Sequence, residues 1–373
     1  MTTQRPEKCR VNARKLWVRA VGSTSVLVLL LCALAGQSSM HAPRVSGTPF
    51  YWTSHPGSSV DPTIAFAGTI RWTPAARSPT PRFEGYACAY HEKLFAFGGY
   101  RSLIHPYAVN TDAAIYDPAS NAWTSLGTVP IPPTHAGAAQ DPDLGILYFV
   151  GGLQGAYPGV TTTQVWSYNI DANAWTPMPA LPVPLAAGSA AFVNGQLHYF
   201  GGIGAHDRNT NVAVHYVLYP GDTTWRTAAA LPTPRDHLTA VPFNGRIYAF
   251  GGEIGHDARH LQQTLAHVYD PATDTWSRLP DMPRSKSHTE ASAFVLNGRI
   301  MIAGGQIDHY ASTDTILQFD PATSAWSFLA RLPGSLQGAM LQPVGTRLVL
   351  TNGYDGTYMH TQTWLAPLAS YSK

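Results

Sequence analysis

The chain has 373 residues, of which 24 are basic and 22 acidic, and only 12% are charged. Its 33 glycines, 30 prolines and 11% aromatics suit many short strands joined by tight turns and argue against a helical protein. That length allows one large repeat fold or two ordinary domains.

Residues 1–35 read as a secretory signal. Arg5, Lys8, Arg10, Arg14, Lys15 and Arg19 form a basic start, and Val26 to Ala35 is an apolar stretch too short for a stable membrane span. Ala33-Leu34-Ala35 puts small residues at −3 and −1, which predicts cleavage before Gly36 and an exported, periplasmic or extracellular protein. An uncleaved anchor is the alternative. A lipoprotein at Cys32 is disfavoured by Leu31 before it.

Six of the basic residues but only one acid, Glu7, lie in this segment, so the remainder is net acidic. No nucleic-acid footprint is left. Cys88 is the one cysteine of the expected mature chain, so no internal disulfide forms there, and a large β-fold needs none. No stable membrane span is expected in the mature chain. Residues 36–68 are rich in Ser, Pro, Gly and Thr and read as a linker, with Phe50-Tyr51-Trp52 placed to pack on the main body.

From residue 69 the chain is periodic. Gly-Gly pairs stand at 98–99, 151–152, 201–202, 251–252 and 304–305, and Asn352-Gly353 takes the sixth place. Each ends a short apolar strand, as in Ile247–Phe250. Tryptophans 72, 123, 175, 225, 276 and 326 keep the same period. Tyr116, Tyr168, Tyr269 and Phe319 stand seven residues before four of them, and Tyr216 and Tyr219 lie near that place in the third repeat. Asn194-Gly195, Asn244-Gly245 and Asn297-Gly298 are hairpin signals. The strands they follow are rich in small residues, such as Ala187-Gly188-Ser189-Ala190, as crowding at a central axis demands.

This pattern resembles the kelch repeat over about 300 residues. The resemblance implies an all-β, six-bladed kelch β-propeller spanning 69–373, one four-stranded blade per repeat. Trp72 precedes the first Gly-Gly pair, and Asn352-Gly353 has no in-phase tryptophan after it. The strand around Ile70–Thr73 is therefore expected to complete the blade built from 338–368.

The strand order puts the d–a and b–c loops on one face, where a site is expected. Twelve residues after each tryptophan come Glu84, His135, Ala187, His237, His288 and Gly338. Ten residues after come Arg82, Arg235 and Lys286 in three of the repeats. After the glycine pairs come Tyr100, Glu253, Gln306 and Tyr354, with His206, His256 and His309 further on, each beside an aspartate. A few polar groups beside an apolar sector at Leu153 and Leu185 suit a small ligand.

Arg82, Glu84, His135, Arg235, His237, His256, Lys286, His288 and Gln306 are the candidate ligand contacts. Hydroxyl groups of a carbohydrate fit such donors and acceptors, with Tyr100 and Tyr354 as ring faces. Any one of these histidines equally suits the bland task of bonding loop carbonyls.

Secreted six-bladed kelch propellers include the sialic acid mutarotases, and the run Gly252-Glu253 to Arg259 resembles theirs. That resemblance implies Glu253 and Arg259 as catalytic residues of a sugar isomerase. The long insertion of that family is absent, since all repeats here are near 50 residues. A metal held by His237, His288 and Glu253 is a further alternative. A galactose oxidase-like copper site would need a tyrosine crosslinked to a cysteine, and Cys88 stands far along the chain from the histidines. No metal or cofactor is assigned. The partners expected are a small molecule or carbohydrate, with a protein-interaction scaffold as the remaining reading.

Overall fold

The computed structural model describes residues 44–45 and 64–368, apart from 133, 206 and 309–310. The expected signal segment and most of the linker, including Phe50-Tyr51-Trp52, lie outside the described residues.

Six antiparallel sheets form the blades. Blade 1 comprises Tyr86–Tyr90, Lys93–Phe97, Asp112–Asp117 and Ala122–Thr128. Blade 2 comprises Gly137–Asp141, Ile146–Val150, Val165–Asn169 and Ala174–Pro177. Blade 3 comprises Ser189–Val193, Gln196–Phe200, His215–Leu218 and Arg226–Thr227. Blade 4 comprises Thr239–Phe243, Arg246–Phe250, Ala266–Asp270 and Thr275–Arg278. Blade 5 comprises Ala293–Leu296, Arg299–Ala303, Ala311–Asp320 and Ala325–Leu336, with Gln306–Asp308 added at its side.

Blade 6 takes Met340–Val344, Arg347–Thr351 and Thr363–Pro367, and its outer strand is Thr73–Ala75. Thr73 pairs with Leu365 and Ala75 with Thr363, so the two ends of the propeller share one sheet. The closing strand begins later than the Ile70–Thr73 expected. Ile70 and Trp72 are instead packed into the apolar cluster with Leu332, Leu341 and Leu348, between blades 5 and 6.

The second strand of each blade is apolar and covered on both faces; Leu147 to Val150 and Ile247 to Phe250 are all buried. The hairpins Asn194-Gly195, Asn244-Gly245 and Asn297-Gly298 have positive φ at both residues, which matches their strand twist.

The tryptophans join neighbouring blades. The indole N–H of Trp276 donates to Ala229 O at 2.9 Å, and that of Trp123 to Ala76 O at 3.0 Å. Trp72, Trp225 and Trp326 likewise donate to Arg331 O, Pro179 O and Pro280 O. Each acceptor lies in or just beyond the outer strand of the preceding blade. Tyr116, Tyr168, Tyr269 and Phe319 stack or tilt against the tryptophan of their own blade. In blade 3 this place belongs to buried Leu218, packed in one cluster with Trp225, and not to a tyrosine.

Blade 5 departs from the repeat at its inner strand. Glu290–Ser292 is a 3-10 turn and the strand starts only at Ala293. Ser292 Oγ donates to Ala303 O at 2.7 Å, taking the carbonyl a strand residue would have paired.

Candidate functional site

Six residues, one from the entry to each blade, ring the axis. Glu84, His135, Ala187, His237 and His288 all have φ between 46° and 60°, and Gly338 has φ 57°. This left-handed backbone is costly for side-chain-bearing residues. It is fixed by hydrogen bonds that pass between blades. Ala187 N donates to His135 O at 2.7 Å, His237 N to Ala187 O at 2.9 Å, and Gly338 N to His288 O at 2.9 Å.

The residue before each ring position pairs with the residue after a Gly-Gly pair: Phe83 with Tyr100, Thr134 with Leu153, Asp236 with Glu253, Ser287 with Gln306, and Gln337 with Tyr354. Ala186 and Ile203 make the sixth pair. The repeat thus carries both sets of candidate side chains to one mouth.

There the ionisable groups meet. Glu84 is shared by two imidazoles, with His288 Nε2 at 3.2 Å from Oε1 and His135 Nε2 at 3.3 Å from Oε2. The His237 ring stacks on His288 at 4.1 Å and on His256 at 5.2 Å between centroids. His237 Nδ1 donates to Asp236 Oδ1 at 2.6 Å and lies 3.5 Å from Glu253 Oε1. Asp236 also accepts from the Asn211 side chain, and Glu253 accepts from Gln262 Nε2 at 2.6 Å. His260 Nδ1 is 3.6 Å from Glu253 Oε1. Ser287 Oγ and His288 Nδ1 are 2.7 Å apart.

The charges follow from this packing. Burial opposes the Glu253 carboxylate, but the close imidazoles of His237, His260 and His288 hold its carboxyl far below the usual range. Asp236 is held down in the same way by His237 and His256. At Glu84 burial is again outweighed, by His135, His288 and His237. Burial disfavours the His237 cation, yet Asp236 and Glu253 raise its imidazole well above the ordinary value. Burial dominates at His135 and lowers it to about 3, so at neutral pH it lies beside Glu84 as a neutral ring.

The three cations ten residues after the tryptophans have another task. Sequence offsets point Arg82, Arg235 and Lys286 at a ligand; the structure turns them into the protein. Arg82 Nη1 donates to Gly98 O at 2.8 Å and Asp112 O at 2.9 Å. Arg235 Nε donates to Gly251 O at 2.7 Å, and Nη1 to Thr233 O at 3.0 Å. Lys286 Nζ donates to Gly304 O, and to Thr315 O at 3.0 Å. Each holds the carbonyl of the first glycine of a pair, so their recurrence has a structural cause. Burial lowers Lys286 to about 7.

The other expected contacts divide. Gln306 is buried, and its Nε2 finds no hydrogen bond among the described residues. His256 opens a helical turn, His256–Arg259, where the sequence suggests only a polar loop. Arg259 is exposed at its end, and among the described residues it makes no ion pair with Glu253. Tyr100 and Tyr354 are not open ring faces; both are buried with Phe83, Leu103 and Met359. His206 and His309 lie outside the described residues.

Sequence phase missed Asp236, His260 and Gln262. The first hides beside His237 at an offset the other repeats fill with uncharged residues. The other two lie beyond the helical turn, where the repeat no longer sets the spacing.

A cavity of about 990 Å³ runs along the inner strands on the other side of the ring. It is lined by Ala87, Ala138, Ala190, Ala240 and Ala293 and reaches the hairpins Asn194-Gly195 and Asn244-Gly245. This open space lies along the inner strands toward the a–b turns. Glu290 also lines this space and is exposed to it, although the surrounding protein raises its carboxyl above the ordinary range.

The ring, the blade-linking tryptophans and the shared last sheet define a six-bladed propeller of repeated four-stranded units. The KLHDC2/KLHL20/DRC7 Kelch-repeats domain matches residues 144–340, just over half the chain, and the chain belongs to the kelch-repeat family.

It is 26% identical over 311 residues to a Kelch repeat-containing protein of Arabidopsis thaliana, covering 77% of this chain and 72% of that one. Kelch-like protein terF of Aspergillus terreus is 28% identical over 263 residues, 68% of this chain and 56% of the relative. The solved structure of YjhT superposes with a TM-score of 0.61 at 17% identity, covering 78% of this chain and 96% of that one, a likeness of fold. Among the described residues, no helix is long and apolar enough to cross a membrane.

Proposed function

We propose that this propeller is exported and binds a small, hydroxyl-rich ligand of carbohydrate type at the mouth bearing the d–a and b–c loops. One observation carries the reading. Glu84, arriving from the strand that closes the ring, is shared by His135 of blade 2 and His288 of blade 5. Three elements far apart in sequence thus bring one carboxylate and two imidazoles to a single point, and His237 stacks beside them. Such a set offers donors and acceptors at fixed angles to vicinal hydroxyls. Exposed Arg259, at the rim, would meet an anionic group on the same ligand.

The test is calorimetric titration of the mature protein with neutral sugars and sugar acids. Binding of one class, weakened about tenfold or more by Glu84→Gln, supports the reading. No binding across the panel sinks it and leaves the protein-interaction scaffold. Export is tested separately by sequencing the N-terminus of secreted protein, which should begin near Gly36.

The Asp236–His237 contact favours a second reading, a sugar isomerase. An imidazole backed by a carboxylate can move a proton between ring oxygen and anomeric hydroxyl. In that case Glu253, spent on His237, His260 and Gln262, positions the imidazole and does not itself take the proton. Anomer exchange followed by NMR should then slow about 100-fold in His237→Gln.

A further inference from the structure

The hydrogen bonding of the mouth leaves one atom unexplained. His237 is only 6% exposed, and its Nδ1 is committed to Asp236 at 2.6 Å. When its Nε2 proton gives way to an incoming metal ion, that nitrogen presents a lone pair while Nδ1–H stays on Asp236. That Nε2 has no hydrogen-bond partner among the described residues. Leaving a buried imidazole nitrogen unpaired is costly.

What it faces is a set of ligand atoms. Glu84, His237 and His288 each present one donor atom, all within 4.8 Å of one another. Glu84 Oε2 is also buried without a hydrogen bond among the described residues, with His135 Nε2 at 3.3 Å.

We propose that Glu84, His237 through Nε2, and His288 through Nε2 bind one divalent transition-metal ion, of which zinc fits the donors best. Two imidazoles and a carboxylate are a recurring zinc set that leaves a position free for water or substrate. The outer partners are those such ligands use. Asp236 holds the Nδ1 of His237, and Ser287 Oγ holds the Nδ1 of His288 at 2.7 Å, so each ring has its Nδ1 engaged and its Nε2 left as the ligand atom.

The sequence alternative of His237, His288 and Glu253 gives way here, because Glu253 approaches His237 from the Nδ1 side. A second grouping, Asp236, His237, Glu253 and His256, also lies within 4.8 Å. It would use the nitrogen already bonded to Asp236, so we assign it to the hydrogen-bonded support of the metal ligands.

The inference concerns the same mouth as the ligand reading, so the test separates them. Protein made without a histidine tag is stripped with a chelator and titrated with Zn²⁺, and with Co²⁺ as a spectroscopic probe. The expected result is one equivalent bound, a rise in melting temperature and a cobalt spectrum of low coordination number. His288→Ala and Glu84→Gln should each remove this binding. Asp236→Asn should weaken it about 10- to 100-fold with the protein still folded.

His91→Ala, at an exposed histidine paired with Asp171, should change nothing. Should His237→Ala fail to fold, the Glu84 and His288 variants carry the test. Absence of stoichiometric metal, or binding that survives in both of those variants, overturns the proposal. Sugar titrations of the stripped and metal-loaded protein bear on the ligand reading alone, since metal can bind with no sugar affinity and the converse.

Discussion

His198 Nδ1 lies 3.0 Å from His215 Nε2, buried inside blade 3, and His215 Nδ1 in turn lies 2.9 Å from Ala229 O. The order of donors is therefore set: His215 donates to the carbonyl and His198 donates to His215, with both rings neutral. Burial lowers His198 to about 3 and His215 to about 4.

In the unfolded chain both titrate near 6.5, so below that pH the unfolded state takes up protons that the folded state refuses. The stability these rings contribute is complete above pH 6.5 and is lost as pH falls towards their folded values. Melting temperature should drop over that range. In H198F/H215F this part of the acid limb should flatten, while Trp276 Nε1 still bonds Ala229 O at 2.9 Å. An unchanged slope in the double variant would show that other groups set the acid limb.

The blade-linking tryptophans combine packing with a hydrogen bond, and the two are separable. Trp276→Phe keeps a ring and loses the bond to Ala229 O, for a cost of about 1 kcal/mol. Trp276→Ala loses the ring as well and should cost about 3 kcal/mol, at the low end for tryptophan because the side chain is only half-buried. Urea denaturation of both variants measures the difference, and equal losses would contradict the packing role.

Lys286→Met tests whether the inward cations serve the fold or the mouth. It leaves Gly304 O and Thr315 O without their charged donor and should cost about 1.5–3 kcal/mol. Affinity for any mouth ligand should stay unchanged. A large loss of affinity in a variant of normal stability would return Lys286 to the site.

The axial ring offers a matched pair of substitutions. Ala187→Gly relieves a left-handed φ of 55° and should stabilise by about 0.5–1 kcal/mol. Gly338→Ala should destabilise, because its new Cβ would lie 2.7 Å from the Phe83 ring. Opposite shifts in melting temperature are the expected signature of a backbone ring that tolerates side chains only at a cost.

Most of the architecture was legible because glycine pairs and tryptophans mark contacts every blade must repeat. Blade number and the sharing of the last sheet follow from their phase. The site was legible in position but not in role. Offsets locate Arg235 and His237 equally well, yet one side chain turns into its blade and the other towards the axis. That choice depends on the carbonyl of Gly251, which the turn after another strand delivers. Likewise, nothing in the local sequence tells that a cavity lies along the inner strands toward the a–b turns.

The last sheet sets a timetable for folding. Thr73 bonds across to Leu365, a separation of 292 residues. Until that partner is made, blade 6 lacks both its neighbour strands and its edge protection, and the apolar space filled by Trp72 between blades 5 and 6 stays open. A chain made from its N-terminus therefore remains an unclosed arc until Thr363–Pro367 has been added. Joining a second copy of 69–80 after Pro367 would place the closing strand beside its partner, and such a chain should refold faster without gaining a single native contact.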